Sequence, residues 1–335
     1  MPATSRSGRP WHRSSAVALA AVTVAGCGGA SGSTTPASPA NQPTGARTAT
    51  ARTRAAKTRM ITVRRTVRPR PQYQTVLGTA LASTPTGFVP VATWHGQTAA
   101  WIARSASGVA LLSFDQRFVE LRLHSGATDA GSSGWRFGPN IVGAERDRLI
   151  AAFNGGFKFS TGAGGFMSYG RTAIPLRQGL GSIVTYSDGN TDIGSWSTEV
   201  PAAGRTVVSV RQNQPLLIDH GASSPNVACS SCWGATLGGV ADPARSALGV
   251  TADGRLIWAG GEHLTAAALA DALLSAKVVR AVELDINPEW VAGYLYGHRA
   301  RRGPLAPVPV APGQIGIPGQ FLAPWGRDFF AVQLR

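Results

Sequence analysis

At 335 residues the chain is long enough for one large domain or two small ones, and its net charge of +15 invites a nucleic-acid reading. The distribution of charge excludes it: no acid precedes Asp115, the first 114 residues carry 13 Lys and Arg, and from Asp115 onward 19 basic residues face 17 acidic ones, a net of +2. The basicity belongs to the N-terminal region, the rest is nearly neutral and lacks a basic stripe, and no nucleic-acid partner is expected.

The chain opens with Arg6, Arg9 and Arg13, followed by an apolar run over 16–25 that is too short for a mature membrane span. The run ends Val24-Ala25-Gly26-Cys27. This resembles the lipobox of bacterial lipoproteins, in which the cysteine is diacylated and becomes the mature N-terminus. The expectation is a signal peptide over 1–26 and lipidation at Cys27. A lipid anchor would then hold an exported protein at the outer face of a cytoplasmic membrane or elsewhere in the cell envelope. An ordinary secretory signal with a fortuitous cysteine is the alternative. Residues 27–72 are rich in Gly, Ser, Thr, Pro, Ala and Arg, with nine basic residues from Arg47 to Arg70. Their composition predicts a disordered basic tether, extended through the wall or drawn to anionic headgroups and polymers.

A globular domain is expected over 73–335. Short apolar runs bounded by Gly, Asp and Asn predict strands over 108–114, 118–123, 149–153, 182–186, 206–210 and 216–218. Ser187-Asp188-Gly189-Asn190 and Ala252-Asp253-Gly254-Arg255 read as hairpin turns, the second flanked by the strands 247–251 and 255–258. One helix is expected: Thr265 as N-cap, then 266–276 with Leu269, Leu273 and Leu274 at helical spacing. The stretch 302–325, rich in Pro and Gly, is expected to wrap the surface. The mixture predicts α+β: one domain of mixed or antiparallel sheets with few helices. Cys229 and Cys232 lie in Cys-Ser-Ser-Cys among Ser, Pro, Asn and Gly. In an exported chain this reads as a short disulfide pinning a loop, rather than a redox motif or half of a zinc site.

The segment Ala281-Val-Glu-Leu-Asp-Ile-Asn-Pro-Glu-Trp290 concentrates acids in a chain that has only 17 of them. Strand alternation puts Glu283 and Asp285 on one face, with Val282, Leu284 and Ile286 on the other, and Pro288 breaks the run. Paired carboxylates are costly to bury, so they point to a metal, a basic group or a substrate, with Glu289 a third acid nearby. Three further segments stand out. Asn154-Gly155-Gly156-Phe157 ends an apolar strand, where Asn154 and two glycines suit close approach to a ligand or a plain hairpin turn. Arg245 stands at the mouth of a strand, placed to clamp an anion or to make a surface salt bridge. Glu262-His263 precedes the helix, where an anionic ligand or a cap would sit.

In this order the segments resemble the phosphodiester glycosidase family, whose members include enzymes that remove N-acetylglucosamine from a phosphodiester. The resemblance rests on Asn154-Gly155-Gly156-Phe157, on Arg211-Gln-Asn213 with Pro215-Leu-Leu-Ile-Asp219, and on Arg245-Ser-Ala-Leu-Gly-Val250. Asp253-Gly254, the helix and Ala281-Val-Glu-Leu-Asp285 complete it. It covers about residues 145–300. The family's glycine-rich turn after Asp285 is replaced by Ile286-Asn287-Pro288-Glu289-Trp290, and Lys158 stands where the family has a second aromatic. The resemblance implies hydrolysis at the anomeric carbon of a sugar-1-phosphodiester in a wall or envelope glycan. The implied catalytic residues are Asp285, Glu283 and Arg245, with Asn154, Gly155, Gly156, Asn287 and Glu289 binding substrate. Arg245, or a divalent cation (Ca2+ or Mg2+) held by Asp285 and Glu283, would stabilise the leaving phosphodiester, and His298 is a reserve acid or base. The competing class is a non-catalytic envelope lipoprotein that binds wall glycan or a partner protein on the same fold.

Overall fold

A computed structural model of the chain describes residues 72–73, 87–131, 133–234, 239–240, 242–298 and 304–335. The expected signal peptide, Cys27 and the tether up to residue 71 lie outside the described residues. What is described is mostly β: three sheets of nine, five and five strands, every pairing between the strands antiparallel. One α-helix, Ala266–Ser275, accompanies them among the described residues. The expected α+β class is thus corrected toward a sheet-rich domain, because most of the short apolar runs pair as strands.

The nine-stranded sheet carries Arg245–Thr251 between Leu256–Gly261 and Val278–Glu283. Every residue of Arg245–Thr251 is buried, so the strand is covered on both faces. Alternation divides these strands between two cores. Ala247, Ile257, Ala259, Val278 and Ala281 pack under the helix with Leu269 and Leu273. Leu248, Val250, Trp258 and Val282 face the other way, onto Phe153 and Phe330. Thr265 caps the helix by accepting from Ala268 N at 3.1 Å. Burying Leu269 and Leu273 contributes about 1.5–3 kcal/mol each, and this docking rather than propensity holds the short helix.

Both expected hairpins form. Gly254, at φ +82°, closes Thr251–Arg255, where a side chain in that backbone conformation would be strained. Ser187–Asn190 joins Gly181–Tyr186 to Thr191–Ser195. The C-terminal stretch departs from expectation. Leu305–Pro309 pairs with Gly293–His298, and the short turn Gln320–Leu322 buries Phe321. Its prolines sit on an edge strand, where a missing N–H costs no ladder bond.

Strand ends from all three sheets meet at one place. Asn154 ends Leu149–Asn154, Gln212 ends Val207–Gln212, and Glu283 ends Val278–Glu283. Arg245 begins its strand, and Arg327-Asp328 immediately precede Phe329–Leu334.

Candidate functional site

The junction is built around a buried ion pair that sequence reading did not anticipate. Arg211 Nε donates to Asp328 Oδ2 at 2.7 Å and Nη2 to Asp328 Oδ1 at 3.3 Å, tying one five-stranded sheet to the other. Arg211 also donates to the carbonyls of Phe157 and Gln212, so its donors are consumed in holding the junction. This explains the two glycines. A Cβ on Gly155 would stand 2.0 Å from Asp328 Oδ2, and one on Gly156 would stand 2.8 Å from the Arg211 guanidinium. Asn154-Gly155-Gly156 is therefore no hairpin turn; the glycines admit the ion pair.

Asn154 is occupied too. Its Nδ2 donates to Ser246 Oγ at 2.9 Å and its Oδ1 accepts from Ala292 N at 3.3 Å, which joins three strands and leaves little for a substrate. Asn213 acts similarly, accepting from Phe157 N and donating to the carbonyls of Glu283 and Leu284.

The acidic segment differs from expectation in one respect. The strand ends at Glu283, and Asp285 lies just beyond it, where Leu284 N and Asp285 O still bond to Ser246. Both acids are buried, Glu283 at 0% and Asp285 at 4% exposure. Glu283 Oε1 accepts from Arg245 Nη1 at 2.6 Å, while its Oε2 is buried without a hydrogen-bond partner. Asp285 Oδ1 accepts from Ile286 N at 2.8 Å and Asn287 N at 3.1 Å, and Oδ2 accepts from Arg327 Nη2 at 3.2 Å. Arg327 also forms an ion pair with Asp129. Its Nη1 has no partner.

Burial controls the titration of these groups. It pushes Glu283 up to about 8, against the pull of Arg245, and pushes Asp285 up to about 6, against Arg327 and the two backbone N–H groups. Burial likewise raises Asp129 above the usual carboxylate range. Burial thus favours the protonated form of Glu283 more strongly than that of Asp285. Two carboxyls driven apart in this way are suited to different halves of an acid–base reaction.

The other expected residues fall into two groups. Arg245 is no surface residue: at 1% exposure it donates to Leu264 O, Trp233 O and Glu283, and so it positions Glu283. Asn287 is half-buried, and its Oδ1 accepts from Glu289 N at 3.0 Å, whereas Glu289 itself is exposed. The helix N-terminus is capped by Thr265 rather than by Glu262, and His263 faces solvent with an Asp242 oxygen 3.9 Å away. His298 closes the strand Gly293–His298. Cys229 and Cys232 are joined by a disulfide beside the turn Ser230–Trp233, whose Trp233 carbonyl receives Arg245.

Asp285 and Glu283 fit a divalent cation poorly. Three of their four oxygens already accept from guanidinium or backbone N–H, and a cation would have to share them with two guanidiniums. The grouping with ligand spacing among the described residues is elsewhere, at Glu199, Asp219 and His220.

Arg327, Asp328 and Asp129 were missed. A signal existed: Arg327-Asp328 is a charged pair at the mouth of the apolar strand Phe329–Leu334, the same pattern that singled out Arg245.

No protein-family model and no curated protein matches the sequence. Among solved structures, the chain is similar to the catalytic domain of zebrafish N-acetylglucosamine-1-phosphodiester alpha-N-acetylglucosaminidase, auto-inhibited by its pro-peptide. The TM-score is 0.42 at 16% identity, over 79% of this chain and 87% of that one. A hypothetical protein from Synechocystis gives TM-score 0.42 at 14% identity, over 76% of this chain and 64% of that one. These are weak likenesses of fold, so chemistry has to be argued from the site. No helix among the described residues is long and apolar enough to cross a membrane.

Proposed function

We propose that the chain is an exported, lipid-anchored hydrolase that cleaves the bond between a sugar's anomeric carbon and a phosphodiester in a wall or envelope glycan. The observation that carries this reading is the pair of buried carboxyls Glu283 and Asp285 at one junction of strand ends, each bonded to a guanidinium and each raised by burial. Asp285 is the ionised partner, placed to act as nucleophile or to take a proton from water. Glu283, whose burial favours the protonated form, serves as the acid. Arg245 holds Glu283 in place. The order of motifs from Asn154 to Asp285 supports the substrate class, and the leader with Cys27 supports export.

A non-catalytic envelope lipoprotein is the second reading, favoured by the near-complete burial of both carboxyls. The full chain, incubated with a panel of sugar-1-phosphodiesters with and without chelator, separates the two. Free sugar released equally under both conditions is expected. No release from any member would leave the binding role.

A further inference from the structure

Lys158 and the turn ending at Trp290 are two of the places where this chain departs from the motif series, the third being Glu283, and the fold brings Lys158 and Trp290 together. The Lys158 ammonium lies 5.2 Å from the centroid of the Trp290 ring, and the Arg327 guanidinium carbon lies 5.0 Å from the same centroid. Two cations thus share one indole, whose negative π face attracts both. Lys158 is exposed, with its backbone carbonyl anchored by Thr161, so it is the outer partner of the group. Arg327 is the inner partner, bonded to Gly156 O and to Asp285 and ion-paired with Asp129, which leaves Nη1 as its buried, unpartnered donor. Trp290 Nε1 is also buried without a partner. An indole satisfies two cations poorly compared with an anion that accepts hydrogen bonds from both.

We propose that Lys158 and Arg327 form a subsite for a phosphate group of the substrate, and that the Trp290 indole gates it by lying against both cations until phosphate displaces it. This rests on the hydrolase reading for the identity of the substrate but not for the binding itself. A guanidinium and an ammonium together suit phosphate, whose several oxygens serve both donors, better than a carboxylate, which one guanidinium satisfies. The turn that carries the gate follows Asp285 directly and bonds back to it through Asn287 N. A gate lowers apparent affinity by the fraction of time it stands open, so removing it tightens binding.

Calorimetry on the full chain with inorganic phosphate tests this. Lys158→Met is expected to weaken phosphate binding about tenfold, Lys158→Arg to restore most of it, and Trp290→Ala to tighten it severalfold. Unchanged binding in Lys158→Met, weaker binding in Trp290→Ala, or no binding in either the native chain or Trp290→Ala would overturn the proposal. Its failure is distinguishable from that of the hydrolase reading. Sugar-phosphodiester hydrolysis with unchanged KM in Lys158→Met removes the subsite and leaves the enzyme. Phosphate binding with the expected dependences, in a chain that hydrolyses no such substrate, leaves the subsite and removes the enzyme.

Discussion

Two Arg–carboxylate pairs of the same length lie toward opposite ends of the strand Arg245–Thr251 and behave oppositely. At one end Arg245 meets Glu283 at 2.6 Å, with side-chain exposures of 2% and 0%. Near the other end Arg117 meets Asp115 at 2.6 Å, but the Arg117 side chain is 74% exposed. Asp115 is held below the usual carboxylate range by its bond to Arg117, whereas Glu283 is pushed up to about 8 by burial. Geometry alone therefore does not set the charge state; the lost hydration decides it.

This second pair, with Arg117 in solvent and Asp115 buried, belongs to an open cleft of about 860 Å3 that Asp192, Arg205, Arg255, Arg280 and Arg335 also line. Its charges answer one another: Arg205 pairs with Asp188, Arg280 with Asp192, and Arg335 donates to Asn190. Size and arginine content would direct attention there. The buried junction, by contrast, leaves Glu283 Oε2 and Arg327 Nη1 without partners. A fold retains such expense where chemistry or specificity requires it.

The comparison is most strongly tested by removing one partner at each end. Asp328→Ala leaves Arg211 buried and unpaired and should cost about 3–5 kcal/mol in chemical denaturation, whereas Arg205→Ala in the cleft should cost less than about 1 kcal/mol. Equal costs would remove the distinction. Next in size is the close packing that the junction imposes on its glycines. Gly155→Ala should lose about 1–3 kcal/mol by forcing Cβ against Asp328, measured as a shift in denaturation midpoint.

A further effect is a slope with pH. Glu283 and Asp285 have folded-state values raised above the ordinary 4.5 and 3.8. Between those ordinary values and about 6 and 8 the folded chain holds protons that the unfolded chain has released, so stability is fullest below about pH 4 for these groups and falls as pH rises through 8. Glu283→Gln should flatten the upper part of that fall in a melting-temperature series. A slope of unchanged size would mean that Glu283 is already ionised in the folded chain.

Much of this was legible in the sequence. Alternation around Arg245–Thr251, the Asp253-Gly254 turn and the Thr265 cap carry local signals, because each follows from a few neighbouring residues. The acidic segment was found because acids are scarce. The extent of sheet and the role of Arg327-Asp328 were not legible, since they depend on strand ends brought from three sheets. The glycines at 155 and 156 show the same limit. Two glycines signal close approach, but only the fold shows that what approaches is Arg211 with Asp328 rather than a ligand.

The central claim is that Asp285, ionised beside Arg327, attacks or activates water at a sugar-1-phosphodiester. Asp285→Asn keeps the shape and the two backbone hydrogen bonds to Oδ1, but removes the charge and the acceptor that faces Arg327 Nη2. Measured as sugar release by the purified full chain at pH 7, it should lower turnover by about 10²–10⁴-fold without loss of cooperative unfolding. Turnover equal to that of the native chain would contradict the account.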